Sequence, residues 1–255
     1  MQTRSVLFFL LAAVTVLAAD PAYVGKWKSN PDKSDFTGTT LTFTSLPSGE
    51  WECATTGQSY RFKMDGKEYP FLGQTAAWNA IDATTWQTAW KSNGRDVGTD
   101  TVKVGADGRT LTIATKGVKP NGDPIDETDS YQRVSGGPGL AGTWKTTAVK
   151  DTSPGTVELV ASGSGGLTFR SLSNQYSCDF KLDGKDYPCA GVVIPPGWTV
   201  AGASSGARSL DLTLKKDGKV VIKRSYTVAA DGKTMTQIAS TPGTNEKMKI
   251  VYDRQ

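Results

Sequence analysis

The segment FKMDGKEYP, Phe62 to Pro70, recurs later in the chain as FKLDGKDYP, Phe180 to Pro188, at an offset of 118 residues. In both copies an Asp-Gly pair stands between runs of alternating apolar and polar residues, which is a strong signal for a β-hairpin. Recurrence of such a motif over this distance, within a chain of 255 residues, predicts two copies of one folding unit.

Other matches occur in the same order along the two halves. Gly25-Lys26-Trp27 recurs as Gly142-Thr143-Trp144, and Tyr131-Gln132-Arg133 recurs as Tyr252-Asp253-Arg254. The offset is 124 residues where Ala106–Thr110 recurs as Ala230–Thr234, so the second copy holds six extra residues, within 192–207. The repeat predicts one domain over 20–134 and another over 140–255, with the Ser-Gly-Gly-Pro-Gly segment 135–139 as the linker.

Each half has the sequence pattern of a β protein. Apolar and polar residues alternate with period two, as in Leu41–Thr44 and Leu210–Leu214, and Asp-Gly or Asn-Gly pairs punctuate these runs. No segment has a capped helical period. We therefore predict an all-β chain of two tandem antiparallel up-and-down β-barrels, with two β-sandwiches as the alternative.

The first nineteen residues read as a secretory signal peptide. Arg4 precedes an apolar run from Val6 to Val16, and small residues precede Asp20. Beyond that segment no apolar run approaches 18 residues, so we expect no stable membrane insertion after cleavage. The predicted location is secreted or periplasmic.

In an oxidising compartment Cys178 and Cys189 are candidates for a disulfide, because they lie symmetrically about the Asp183-Gly184 turn. Counting back from a two-residue turn places them in a hydrogen-bonded pair, where disulfide geometry is demanding. Cys53 is left over and is predicted to be a buried small hydrophobe.

The chain contains no histidine. That absence excludes Ser-His and Cys-His nucleophiles and histidine-ligated metals. The remaining enzymatic route is a pair of carboxylates, and the candidate pairs are Glu50 with Glu52 and Asp65 with Glu68. We predict no cofactor, no catalytic residue and no metal site, although the acidic cluster Asp123, Asp126, Glu127 and Asp129 leaves calcium binding open.

The aromatic residues are unevenly divided, and four of the seven tryptophans lie in the first half beyond the one that opens it. On strands of a barrel, same-face aromatic residues either fill the core or line a ligand cavity. The candidate ligand-binding residues are Tyr60, Phe62, Trp78, Trp86 and Trp90.

Each unit opens with Gly-x-Trp and closes about 110 residues later with Tyr-x-Arg. This resembles the calycin pattern of lipocalins, fatty-acid-binding proteins and avidins. The repeated hairpin also resembles that of bacterial secreted repeat proteins. The calycin resemblance implies that an arginine from the last strand stacks on the first-strand tryptophan, which pairs Arg133 with Trp27 and Arg254 with Trp144.

These features predict an exported binding protein, with an enzyme less expected than a binder. Its ligand would be a small apolar or amphipathic molecule held in a barrel cavity, chiefly in the first repeat. The net charge of +4 gives no argument for nucleic acid. The alternatives are a surface carbohydrate- or protein-interaction module without a cavity and a carboxylate-dependent, glycosidase-like hydrolase.

The halves differ in charge, with 13 basic and 15 acidic residues in 20–138 against 15 and 10 in 139–255. This difference has two interpretations: drift between duplicated copies, or halves that face each other or different partners.

Overall fold

A computed structural model describes residues 20–55, 58–71, 73–163, 165–194 and 196–255. The predicted signal segment, residues 1–19, lies outside the described residues. Apart from a 3-10 turn at Pro31–Lys33, the regular elements are strands. They are β1 Gly25–Ser29, β2 Thr40–Ser45, β3 Trp51–Thr55, β4 Gln58–Phe62, β5 Glu68–Phe71, β6 Gln74–Ala80, β7 Thr85–Ser92, β8 Arg95–Val104, β9 Thr110–Val118, β10 Pro124–Ser135, β11 Gly142–Asp151, β12 Thr156–Ser162, β13 Gly166–Ser171, β14 Tyr176–Lys181, β15 Tyr187–Gly191, β16 Trp198–Gly206, β17 Ser209–Lys216, β18 Lys219–Val228, β19 Thr234–Ser240 and β20 Lys247–Arg254.

The strands form where the sequence alternates. In β17 every second residue, Leu210, Leu212 and Leu214, is buried, because successive side chains of a strand point to opposite faces. Tight turns join several strands as the Asn-Gly and Asp-Gly pairs predict. Asn93-Gly94 and Asp217-Gly218 both have positive φ at each residue, which is the backbone that a two-residue hairpin turn requires.

The twenty strands form two antiparallel ten-stranded sheets, which confirms the predicted fold class. One is a closed barrel with strands in the order β1, β12 to β20, and we call it the closed barrel. The other runs in the order β4, β3, β2, β11, β10 to β5, and we call it the seamed barrel. Most strands that follow one another along the chain are neighbours, as in an up-and-down meander. The exceptions are the pairings of β1 with β12 and β20 and of β2 with β11, and the strands β4 and β5, which do not pair with each other among the described residues. The alternative of two sandwiches is not what the chain forms.

The barrels do not coincide with the sequence repeats, which corrects the predicted boundaries. The Gly-x-Trp strand of the first repeat, β1, pairs with β12 and β20 of the second. The corresponding strand of the second repeat, β11, pairs with β10 and β2 of the first. Each barrel is thus completed by the first strand of the other repeat. Of the predicted linker 135–139, Ser135 ends β10 and residues 136–139 lie in the β10–β11 connection of the seamed barrel. The chain crosses between the barrels at 30–39 and 152–155.

The predicted disulfide is present. Cys178 and Cys189 are directly opposite in the β14–β15 ladder and are bridged. Their Cα atoms are 4.3 Å apart, which is the spacing of a non-hydrogen-bonded pair rather than the hydrogen-bonded pair expected from the sequence.

The equivalent hairpin of the seamed barrel is held differently. Tyr60 and Phe71 stand where the second repeat has its two cysteines, and their ring centroids are 4.6 Å apart. Among the described residues no backbone ladder joins β4 to β5, and the sheet ends on these two strands. Ring packing therefore takes the place of a covalent bridge at this seam.

A tryptophan and an arginine close the base of each barrel, as the calycin resemblance implies, but the pairing differs. Arg133 stacks on Trp144, with its guanidinium carbon 3.9 Å from the ring centroid, and Arg254 stacks on Trp27 at 4.1 Å. The expected pairs were Arg133 with Trp27 and Arg254 with Trp144. The correction follows from the strand exchange, since each Gly-x-Trp strand lies beside the last strand of the other repeat.

Candidate functional site

Most of the aromatic residues predicted to bind ligand lie in the core of the seamed barrel. Phe62 and Trp78 are stacked with centroids 4.5 Å apart, and the Trp78 indole N–H donates to the Tyr60 hydroxyl at 3.0 Å. Trp86 is also buried in this cluster. These side chains contact one another and pack the barrel interior.

Trp90 is the predicted ligand residue that lines a cavity. The cavity is about 260 Å³ and lies between the barrels, where Asn174 and Val193 approach the end of the seamed barrel. The indole is held in place because its N–H donates to Asp100 at 2.6 Å. The structure thus brings one of the five candidates to a cavity and places the other four in the core.

A second cavity, of about 220 Å³, occupies the open end of the closed barrel, opposite the Trp27–Arg254 base. Its wall contains Arg224 of β18 together with Tyr176, Gln237 and Tyr252. Phe36 reaches it from the chain crossing at 30–39, and Asp151 reaches it from the end of β11. The position of Arg224 on an inward-facing strand site could have been read from the alternation of β18. Its missing anionic partner could not, because it depends on strands that are distant along the chain.

Arg224 has no anionic partner among the described residues, although its guanidinium lies within hydrogen-bonding reach of the Tyr176 hydroxyl. It is part-buried, and its Nε is buried without a hydrogen-bond partner in the described residues. No ion pair involves Arg224 there. Burial raises the pKa of the Tyr226 hydroxyl to about 12 and also raises that of Tyr252, so both phenols stay neutral. The guanidinium charge is therefore uncompensated, and an anion would remove that cost.

The open end of the seamed barrel carries the opposite charge. Asp100 occupies the strand position of β8 that Arg224 occupies in β18, and the two strands have the same burial pattern. Glu127, Asp129 and Asp151 line a neighbouring cavity of about 250 Å³, together with Phe36 and Met248. Asp151 and Phe36 line this cavity and the Arg224 cavity alike.

Two carboxyl groups of this acidic end lie close together. Burial, followed by the charges of Asp129, Asp151 and Asp100, raises the pKa of Glu127 to about 7. The Tyr131 hydroxyl donates to Asp129 at 3.1 Å, while Oδ1 of Asp129 is buried and lacks a partner. A proton on Glu127 supplies a donor to that carboxylate.

The other sequence candidates lie away from these cavities. Glu68 is paired with Lys91 at 2.7 Å, and Asp65 accepts from the Lys67 backbone N–H and the Tyr69 hydroxyl. Glu50 accepts a hydrogen bond from Ser48, and Glu52 is paired with Arg61 at 3.4 Å. In the described residues no group of three or more acidic, cysteine or histidine side chains is placed to hold a metal ion. There, too, no helix is long and apolar enough to span a membrane.

Cys53 is a buried free thiol, as predicted. Burial raises its pKa to about 12, so it stays protonated and unreactive.

The chain matches no family model, and a comparison with curated proteins finds no relative. Its function therefore has to be argued from the cavities themselves.

Proposed function

We propose that this is an exported, non-enzymatic protein that binds a small amphipathic anion at the open end of the closed barrel. The observation that carries the proposal is the Arg224 guanidinium, whose buried Nε lacks a partner beside a cavity. A carboxylate or phosphate group would accept from this fork of donors, and such charge-assisted bonds are the strong ones.

The rest of the cavity suits the same ligand class. Tyr176, Gln237 and Tyr252 offer neutral polar groups around the arginine, while Phe169 and Ile250 offer apolar surface. Small-molecule sites typically combine an apolar lining with a few convergent polar groups. The sequence favoured the first repeat as the binding half; we place the anionic end in the closed barrel, because the aromatic residues of the first repeat pack against one another.

Export and calycin kinship are also part of the proposal. The Cys178–Cys189 disulfide is typical of proteins that fold in oxidising compartments. The Trp–Arg contacts at both barrel bases are what the calycin resemblance implies. A ten-stranded barrel with one open end is an architecture that holds one small ligand.

The test is calorimetric titration with decanoate and with 1-decanol, which share a chain and differ in the anionic group. We expect Arg224→Gln to weaken decanoate binding by about thirtyfold or more, since truncating a buried charged pair costs at least 2 kcal/mol. Decanol affinity should be unchanged. Arg208→Gln, which removes an exposed arginine, is the matched control and should bind decanoate as the natural chain does.

Stability of the ligand-free protein separates this role from a structural one. Because Arg224 has no anionic partner in the part of the chain that the structure describes, its replacement should leave the free energy of unfolding unchanged or raise it. Unaltered decanoate affinity in Arg224→Gln, or a large loss of ligand-free stability, would contradict the proposal.

A further inference from the structure

The cavity beside Trp90 lies between the barrels and is mostly apolar. Val97, Val118 and Ile125 line it from the seamed barrel, and Val193 lines it from the other side. Trp90 has a fixed orientation there, because its N–H donates to Asp100 and its ring packs against Tyr60 and Phe71 at centroid distances of 6.3 Å. A rigid indole beside open apolar space is a favourable surface for a hydrocarbon group.

The space exists because a side chain is missing opposite Trp90. Trp90 pairs with Gly98 across β7 and β8, whereas the equivalent pair of the closed barrel is Leu214 with Ile222. Gly98 in turn faces Gly117 of β9, and a Cβ on Gly98 would lie 2.7 Å from the Lys116 carbonyl oxygen. Close approach of these strands therefore requires glycine, and the same requirement leaves the cavity unfilled.

The wall opposite Trp90 comes from the stretch in which the second repeat is longer than the first. Val193 belongs to the stretch 192–207 that contains the six extra residues. This stretch is attached to the seamed barrel, because the Asn93 side-chain amide donates to the Val192 carbonyl at 2.9 Å. The extra residues of one repeat thus complete a cavity of the other.

The Trp90 and Arg224 cavities are neighbours, since Asn174 lines both. Alone, each is smaller than the roughly 300–1,000 Å³ of small-molecule sites, and together they reach that range. One cavity carries the unpaired cation, and the other is mostly apolar, with Asp100 and Lys119 also in its wall. That division suits an amphiphile with one charged end.

We infer that the two cavities form one bipartite site, in which the Trp90 cavity holds the apolar tail of the ligand whose anionic group binds Arg224. This inference rests on the proposed function and adds where the tail lies and what selects its length. Val193 is a specificity-determining residue in this arrangement, because it forms the wall that the tail contacts.

The test uses n-alkyl carboxylates from butanoate to hexadecanoate, titrated into the full mature chain. Affinity should rise about fourfold for each methylene that enters the apolar cavity, the ratio that corresponds to about 0.8 kcal/mol per buried methylene, and should level off once the cavity is full. Val193→Asp should abolish this rise for the longer chains and leave the affinity for butanoate unchanged. Val192→Asp is the matched control, because Val192 is 43% exposed in the same loop and does not line the cavity.

The outcomes of this titration distinguish failure of the bipartite site from failure of the proposed function. If Val193→Asp keeps the chain-length dependence of the natural protein, the tail lies elsewhere and the inference fails while the proposed function stands. If butanoate binds but longer chains gain nothing, the inference fails in the same way. If no carboxylate binds the natural chain, the proposed function itself fails and takes the bipartite site with it. Thermal unfolding of both variants confirms that the loop substitutions leave the fold intact.

Discussion

At the scale of single residues, the base of each barrel depends on one guanidinium. Arg133 donates to the carbonyl oxygens of Gly108, Ala141 and Gly139 at 2.6, 2.8 and 2.5 Å while it stacks on Trp144. Gly142 is required beside it, since its φ is +141° and a Cβ there would lie 2.7 Å from the arginine Nη1. Stacking and three carbonyl acceptors together need the planar fork of arginine.

We therefore expect Arg133→Lys to lower the free energy of unfolding by about 2 kcal/mol, because an ammonium cannot stack and serve three carbonyls at once. Urea denaturation measures this loss. Arg170→Lys is the control, because Arg170 is exposed and forms a surface ion pair with Glu158. Its effect should stay within about 0.5 kcal/mol. Equal effects of the two substitutions would contradict the closing role of Arg133.

Glu127 gives a pH dependence with a definite sign. Its pKa is raised from 4.5 to about 7, so the folded state holds a proton that the unfolded state releases between those values. The contribution of Glu127 to the free energy of unfolding is fully present below about pH 4.5, and it is lost as the pH rises through 7. The difference in unfolding free energy between the natural chain and Glu127→Gln should change across this window. Asp123→Asn, an exposed change in the β9–β10 connection, should show no such change, and parallel curves for Glu127→Gln would refute the assignment.

At the scale of elements, the exchange of β1 and β11 joins the two repeats. β1 is held by backbone pairs to β12 and β20, and the segment after it continues these contacts. The Asn30 side chain donates to the Asp253 carboxylate at 2.6 Å, and the backbone of Asp35 forms an antiparallel β-bridge with that of Lys249. The closed barrel therefore contains strands from near both ends of the sequence, whereas the strands of the seamed barrel run continuously from β2 to β11.

Deletion of residues 20–35 tests this connectivity. The closed barrel should lose its base, because Trp27 is removed from beneath Arg254, while the seamed barrel keeps all ten strands. Hydrogen exchange followed by mass spectrometry should show faster exchange in β12 and β20 and unchanged exchange in β2 and β10. A synthetic peptide of residues 20–35 should restore protection. Loss of protection in β2 and β10 instead would mean that β1 belongs to its own repeat.

At the scale of the whole molecule, the barrels present open ends of opposite charge that share Phe36 and Asp151 in their cavity walls. The charge difference between the halves of the sequence is consistent with this. The clearest example is one inward-facing strand position, which holds Asp100 in the seamed barrel and Arg224 in the closed barrel. The proposed ligand site uses this asymmetry, since the cation and the apolar space lie on different barrels.

Much of the fold was predictable from local sequence. Alternation of apolar residues predicted the strands, Asn-Gly and Asp-Gly pairs predicted turns, and symmetry about Asp183-Gly184 predicted the Cys178–Cys189 bridge, because each depends on residues close in the chain. The candidate site was less predictable. Trp90 was among the candidate ligand-binding residues and Arg224 was not, because the missing anionic partner of Arg224 is a property of its surroundings in space.

The sequence by itself determined the duplication, the all-β class and the residues that close each barrel base, since repeats, period-two alternation and short motifs are written along the chain. Only the tertiary structure decided which strand completes which barrel. Both Gly-x-Trp strands carry the same pattern and fit either barrel, so the choice depends on chain crossings and contacts between distant segments. The same long-range arrangement decided that Val193 faces Trp90 and that the Arg224 Nε is buried without a partner.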